Sequence, residues 1–397
     1  MRKQVLFILS LFLAINLYAE NKFVIDGNIT NVPDGLIIEL LRKEDNVGTL
    51  VASDTLRNGK FRFEEKTSGN GTDCMFLTAR TGSYNSMILY LWVRPGSSVR
   101  ISADNLCVYT WSVESDVPEQ LTRNKILASS RDLWNEYQIL DGDYDSLRSR
   151  IKSGKYSGEE KKKQKVRLDS MKLVKSRLQD SISAVELDVM AKLDVDQAWM
   201  LNYVNTAYMV DISKNKDNLA KAKALYVYIP DTWRDSLSGR EAKNVLFPQH
   251  IVEVGEEAAD ADLYDIDGKL WHLSDFRGRY VLIDFWSHGC GPCKMAIPEI
   301  KEAADRYKDR LVAVSISVDN EKVWKEHSAT EGITWMNLSD KNLDTGIAAK
   351  YGVRGIPYFV LVSPGGNVVK KWSGYSKGLI ERNISEHIVA ADVPSGK

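Results

Sequence analysis

Val281-Leu282-Ile283-Asp284-Phe285-Trp286-Ser287-His288-Gly289-Cys290-Gly291-Pro292-Cys293-Lys294 is the stretch of this 397-residue chain on which its reading turns. The residues from Tyr280 to Trp286 are almost continuously apolar, as in a parallel strand buried on both faces. The one charge among them, Asp284, needs a reason, because an unpaired buried carboxylate is costly; a solvent-facing edge position is the other reading. A helix is expected from about Cys290 to Lys308. With Cys290 capping that helix and Cys293 one turn inside it, the two sulfurs reach bonding distance. The first thiol then lies at the positive end of the helix dipole, which favours the thiolate. The thiolate is the nucleophile of disulfide exchange, so Cys290 reads as the attacking thiol and Cys293 as the resolving one.

Working outward from this junction, residues 249–397 alternate strands and helices. Trp271-His272-Leu273 follows an Asp267-Gly268 turn, Leu311 to Val318 reads as a second buried strand, and Glu321 to Thr330 as a helix. Tyr358 to Val362 and Asn367 to Trp372 read as strands about a Ser363-Pro364-Gly365-Gly366 turn, and Lys377 to Val389 as a closing helix. This order predicts an α/β domain, a mixed sheet with helices on its faces. Zinc is the competing reading of a Cys-x-x-Cys pair, but zinc usually takes four ligands. The other two cysteines, Cys74 and Cys107, are distant and not closely paired, and the five histidines form no ligand motif. No metal and no cofactor are therefore expected.

The rest of the chain is organised differently. Residues 20–112 contain short strand-like runs separated by turn formers, with Asn58-Gly59 between Leu56 and Phe61 a strong hairpin signal. Evenly spaced strands without helices predict a β-sandwich-like domain. Residues 113–248 predict a helical connector: Leu168, Met171, Val174, Leu178, Ile182, Val185 and Val189 recur at helical spacing. Around them, residues 143–180 hold twelve Lys/Arg against six Asp/Glu, an excess that reads first as the solvated side of a helix and otherwise as a membrane-surface or partner site. Residues 1–19 read as a secretory signal: Arg2 and Lys3, an apolar run from Val5 to Leu13, and Ala19 before a cleavage point at Glu20. The apolar run is short for a membrane span, and no later segment resembles one, so no stable membrane insertion is expected. The formal charge is −1, from 53 basic and 54 acidic residues, and becomes −3 without Arg2 and Lys3. Such neutrality argues against nucleic acid. Four cysteines exclude a disulfide-stapled mini-protein. Cys74 and Cys107 read equally as a bridge or as two buried small hydrophobes.

Val281 to Lys294 resembles the active-site segment of thioredoxins. Residues 252–397 are similar to the redoxin/TlpA/ResA-like branch, extracytoplasmic thiol–disulfide oxidoreductases related to the AhpC/TSA proteins. Val254-Gly255, Asp267-Gly268-Lys269 and Leu273-Ser274-Asp275-Phe276-Arg277-Gly278 match that branch's lead-in. The likeness covers somewhat over a third of the chain; residues 20–112 resemble an uncharacterised β domain found ahead of such thioredoxins. The resemblance implies a thioredoxin fold and places Asp284 beneath the cysteines, where burial would raise its pKa and suit it to exchange a proton with Cys293. Pro298 lies within the expected helix, where it should kink it, and the family has a proline at this spacing. The resemblance also implies that Ile356-Pro357 is a cis-proline loop that takes substrate backbone. Trp286 is expected either to line the substrate groove or to pack in the core. Gly289 replaces the tryptophan common before the first cysteine and leaves the approach to Cys290 open. Two further departures are Ala296, where ResA-like proteins often carry Glu, and Ser315-Ile316-Ser317, which lacks the lysine many thioredoxins place near the Asp. His288 reads as a solvated loop residue or a titrating neighbour.

The expected activity is that of a thiol–disulfide oxidoreductase in the periplasm or cell envelope, reducing or reshuffling disulfides of envelope proteins. An upstream thiol donor, a membrane reductase, would recharge it. A thiol peroxidase is the first alternative, since Ser287 stands three residues before Cys290. A binding protein that uses residues 20–248 to recognise an envelope partner is the second.

Overall fold

The computed structural model describes residues 21–44, 47–82 and 84–388; the signal segment read at residues 1–19 lies outside them. The chain forms two compact units, Met1–Ile229 and Pro230–Lys397.

In the first unit, strands β1 (Lys22–Ile29), β4 (Lys60–Lys66), β8 (Ser98–Ala103) and β9 (Ser112–Glu114) form one sheet in the order β4-β1-β8-β9. Strands β2 (Ile37–Glu44), β3 (Val47–Thr55), β5 (Asp73–Thr81) and β6 (Tyr84–Asn85) form another in the order β3-β2-β5-β6, and β7 (Leu89–Val93) also pairs with β5. Period-2 alternation turns Phe23 and Ile25 of β1, Phe61 and Phe63 of β4, Leu40 of β2 and Leu77 of β5 into one shared core, the sandwich the spacing predicts. Gly27 faces Phe61 across β1 and β4, and a Cβ there would stand 2.0 Å from the Phe61 ring, so only glycine admits it. Asn58 and Gly59 both take positive φ, as a type I′ turn requires. Pairing across that turn stops at Arg57 and Lys60, because β3 and β4 then part into different sheets. The sheet runs through Glu114, two residues past the limit of 112 read from sequence.

Helices α1 (Pro118–Lys152), α2 (Gly158–Met190), α3 (Gln197–Ser213) and α4 (Lys216–Tyr228) complete this unit. The buried face of α2 runs through Met171, Leu178, Ile182, Glu186 and Met190. This corrects the expected stripe: Val174 is 40 % exposed and Glu186 lies inside. Ser130 Oγ (2.6 Å) and Trp134 Nε1 (2.7 Å) donate to Glu186, which makes its burial tolerable, although desolvation still pushes its carboxyl up.

The second unit begins with two short helices, α5 (Asp231–Arg234) and α6 (Leu237–Leu246). The sequence reading put both in the connector ending at 248. They sit with the C-terminal unit instead, because Arg240 Nε (3.2 Å) and Asn244 Nδ2 (3.0 Å) of α6 donate to the Thr345 hydroxyl and carbonyl. A small hairpin follows, β10 (Leu263–Tyr264) with β11 (Leu270–Trp271). The main sheet comprises β12 (Tyr280–Trp286), β13 (Leu311–Ser317), β14 (Met336–Leu338), β15 (Tyr358–Val362) and β16 (Val368–Ser373) in the order β14-β13-β12-β15-β16. The first three strands run parallel, while β15 and β16 are antiparallel to their neighbours. Strand β12 is central and buried on both sides, as its apolar run predicts. Val281, Ile283 and Phe285 enter one core with Ile347 of α9 (Ile347–Lys350) and with Tyr351, the residue after it. Leu282 enters the other, with Ala296 and Ile300 of α7 (Gly291–Arg306) and Ile380 and Ile384 of α10 (Leu379–Ile388). Asp284 and Trp286 share the parity of Leu282 and therefore face the α7 side. Helix α8 (Glu321–Ser328) completes the unit.

Candidate active site

Strand β12 ends at Trp286, and four residues later Cys290 caps α7, its Sγ accepting a hydrogen bond from the Cys293 backbone N–H at 3.1 Å. Pro292 stands in the first turn of α7, where the missing N–H is no loss, and Pro298 lies inside the helix. The two cysteines form a disulfide with their Cα atoms 5.2 Å apart. The sulfurs are unlike: Cys290 is half-buried, whereas Cys293 is 2 % exposed. The Cys290 sulfur is therefore the more accessible of the two.

Asp284 is 2 % exposed. Burial pushes its carboxyl up to about 7, while the Ser315 hydroxyl, donating to Oδ2 at 3.1 Å, pulls the other way. Its Oδ1 has no partner. Ser315 is itself oriented by Trp335, whose Nε1–H donates to the hydroxyl at 2.9 Å. A carboxyl held near neutrality inside the fold can take up and release a proton at physiological pH. The Ile356–Pro357 bond is cis. Pro357 is buried, and half-buried Ile356 packs against the cluster that contains both cysteines. Gly289 is exposed, and a Cβ there would meet no atom within 4 Å.

Trp286 requires a correction as a groove residue. It is 1 % exposed and packs with Cys293 and Trp324 of α8, its Nε1–H donating to Asn337 Oδ1 at 3.3 Å. Asn337 takes the Trp324 Nε1–H on the same oxygen at 3.2 Å. A buried indole needs such an acceptor, and here it is met from the core side.

Several residues around the centre escaped sequence reasoning. Asp319 accepts from the Ser287 hydroxyl and the His288 backbone N–H, both at 2.7 Å, and so fixes the loop that enters the motif. Glu331 accepts from His288 Nδ1 at 2.5 Å and from Lys294 Nζ at 2.9 Å. Although burial opposes it, these two hydrogen bonds hold the Glu331 carboxyl below its usual range. His288 is thus an anchored residue, its ring stacked on His327 at 3.6 Å. Cys74 and Cys107 are free and buried; burial pushes the Cys74 thiol up to about 12 and raises that of Cys107, which disfavours the thiolate at both. Among the described residues no group of three or more His, Cys, Asp or Glu side chains is set to hold a metal.

A disulfide capping a helix that follows the central strand of this mixed sheet, beside a cis-proline, defines a thioredoxin-fold redox protein. Comparisons agree. The AhpC/TSA family profile matches residues 254–371. A thioredoxin of Chlorobaculum thiosulfatiphilum is 32% identical over 111 residues, which is 28% of this chain and 81% of that protein. The thiol-disulfide oxidoreductase ResA of Halalkalibacterium halodurans is 26% identical over 145 residues, 36% of this chain and 80% of that protein. The crystal structure of the thioredoxin domain of a Bacteroides vulgatus thiol-disulfide oxidoreductase aligns with 34% of this chain and 98% of its own, at 27% identity and a TM-score of 0.32. Through its C-terminal unit the chain belongs to the thioredoxin family, as a thiol–disulfide oxidoreductase of the ResA-like kind.

Proposed function

We propose that the chain reduces, or reshuffles, disulfides of proteins outside the cytoplasm. Cys290, as thiolate, attacks one sulfur of a substrate disulfide and releases the other as a thiolate, which takes a proton from solvent. Cys293 then attacks the Cys290 sulfur of the mixed disulfide, passing its proton to Asp284, and the reduced substrate leaves. Two electrons have moved from the protein's dithiol to the substrate. An external thiol donor must return them, and a membrane reductase would suit an envelope protein. Ile356 and Pro357, with the open approach at Gly289, would seat the substrate chain. The observation that carries this reading is the asymmetry of the pair: a half-buried helix-capping sulfur above a buried one. The extracytoplasmic location rests on the signal-like residues 1–19.

Three proposed functional segments stand, expected at 20–112, 113–248 and 249–397, with β9 moved into the first and helices α5 and α6 into the third. Among the described residues of 20–248 none supplies a redox constellation, and partner recognition is their proposed role. The thiol peroxidase alternative gains no support from Ser287, whose hydroxyl is committed to Asp319.

The full-length protein is expected to catalyse reduction of insulin disulfides by dithiothreitol, read as turbidity from the precipitating B chain. Turbidity no faster than with dithiothreitol alone, together with rapid consumption of hydrogen peroxide, would replace this reading with a peroxidase.

A further inference from the structure

We infer that Ser315, aimed by Trp335, is a positioning residue that occupies one oxygen of Asp284 and leaves the other, Oδ1, as the seat of the proton that Asp284 takes up and gives back. This deepens the reading above and rests on it for the use made of that proton. The sheet sets the three residues side by side. Ser315 stands opposite Asp284 in the parallel pairing of β13 with β12. Trp335 comes just before β14, whose Met336 pairs with Val314 of β13. Ser315 and Asp284 are 0 % and 2 % exposed, so the partners of each polar atom must come from the fold.

A hydroxyl has one hydrogen to give and two lone pairs, and an indole N–H only donates. Trp335 Nε1–H therefore donates to Ser315 Oγ, at 2.9 Å, and fills one of its lone pairs. The hydroxyl hydrogen is left for Asp284 Oδ2, at 3.1 Å. Asp284 Oδ1 has no partner. A proton added on Oδ2 would displace the serine hydrogen, whereas one on Oδ1 leaves both hydrogen bonds as they are. The step is a plain protonation, –COO⁻ plus H⁺ giving –COOH, with nothing oxidised or reduced. The serine hydrogen bond is charge-assisted in the carboxylate and neutral in the acid, so it holds the proton affinity down. The elements packed on this face of β12 bring no charge against it. β15 sets Phe359 opposite Asp284, and α7 and α10 contribute Ala296, Ile300 and Ile380 to the same core. Cys293 of α7 lies in the adjoining cluster and does not titrate while in the disulfide. Burial and the Ser315 hydroxyl are thus the two influences on the carboxyl among the described residues.

The test is the titration of Asp284 in oxidised full-length protein, followed by NMR of labelled aspartate carboxyl carbons, with the signal assigned by its absence in Asp284→Asn. The parent midpoint is expected at about 7. In Ser315→Ala it should rise by about one pH unit, a tenfold gain in proton affinity, the effect of losing a hydrogen bond to a charged group. Trp335→Phe keeps a ring but frees the serine hydroxyl to turn elsewhere, and should raise the proton affinity about threefold. The sign separates this role from one of packing alone. A loosened core lets water reach Asp284, and hydration moves the midpoint down, toward the usual carboxylate range. A Ser315→Ala midpoint that falls therefore overturns the proposal. So does one that stays in place, the result expected if the proton sat on Oδ2 and the acid donated to the serine. An unmoved or lowered midpoint in Trp335→Phe overturns the aiming role of Trp335. These readouts need neither substrate nor turnover, so failure of insulin reduction and failure of this inference are separate results.

Discussion

Cys290→Ser is expected to lower insulin reduction by roughly a thousandfold or more, the scale of loss when an enzyme's covalent nucleophile is removed. Serine keeps the size and the helix cap but cannot form a mixed disulfide. Cys293→Ser should differ in kind. Attack by Cys290 survives and resolution does not, so the variant should accumulate one equivalent of a mixed disulfide with the insulin chain, visible as a mass increase that dithiothreitol removes. The contrast follows from exposure: Cys290 is half-buried and Cys293 only 2 % exposed. A covalent adduct on Cys293 in the Cys290→Ser protein would reverse the assigned roles.

The second large effect concerns Asp284 and is read in stability. Moving a carboxyl from 3.8 to about 7 makes its ionisation about 4 kcal/mol harder in the fold than in the unfolded chain. The folded state binds this proton more tightly than the unfolded state does. The contribution to stability is therefore fully present below about pH 4 and is lost as pH rises through about 7. Asp284→Asn removes that dependence and keeps an acceptor for the Ser315 hydroxyl. Its new amide lies where Oδ1 now has no partner, which costs about 1–3 kcal/mol. At pH 8 the oxidised variant should still be the more stable protein, by about 1–3 kcal/mol, and at pH 5 the advantage should shrink or reverse. Urea unfolding midpoints at the two pH values measure this, and equal differences at both would refute the burial argument. The same variant should reduce insulin more slowly at pH 7, by about a hundredfold, the lower range for losing a proton-transfer group.

What could be read from the sequence was what is carried by neighbours along the chain. The run from Val281 to Trp286 and the Cys-x-x-Cys pair after it announce a buried strand entering a redox helix, because both signals are local. Asn58-Gly59 likewise announces its turn, although not the parting of β3 and β4 into separate sheets, which long-range pairing decides. Helix α1 was not legible: its buried positions include Gln120, Arg123 and Ser130, so no clean apolar stripe marks it. Glu186 hid the true face of α2 for the same reason, since polar groups with partners can replace apolar ones inside. Asp319 and Glu331 are lone acids in loops, and their partners lie 31 to 43 residues away. Only folding brings them to His288. Parity along β12 sets the side that Trp286 faces, but the acceptor that meets its buried indole, Asn337, is another distant partner.

The two indoles that share Asn337 have a photophysical consequence. Trp286 and Trp324 pack in one cluster with Cys293, and they are two of the chain's ten tryptophans. An excited indole beside a disulfide passes an electron to it and loses its emission. Reduction of Cys290–Cys293 should therefore brighten the protein's intrinsic fluorescence, and Trp324→Phe should remove part of that rise. The unlabelled protein thus carries an optical gauge of its own redox state, on which stopped-flow mixing can time attack and resolution separately.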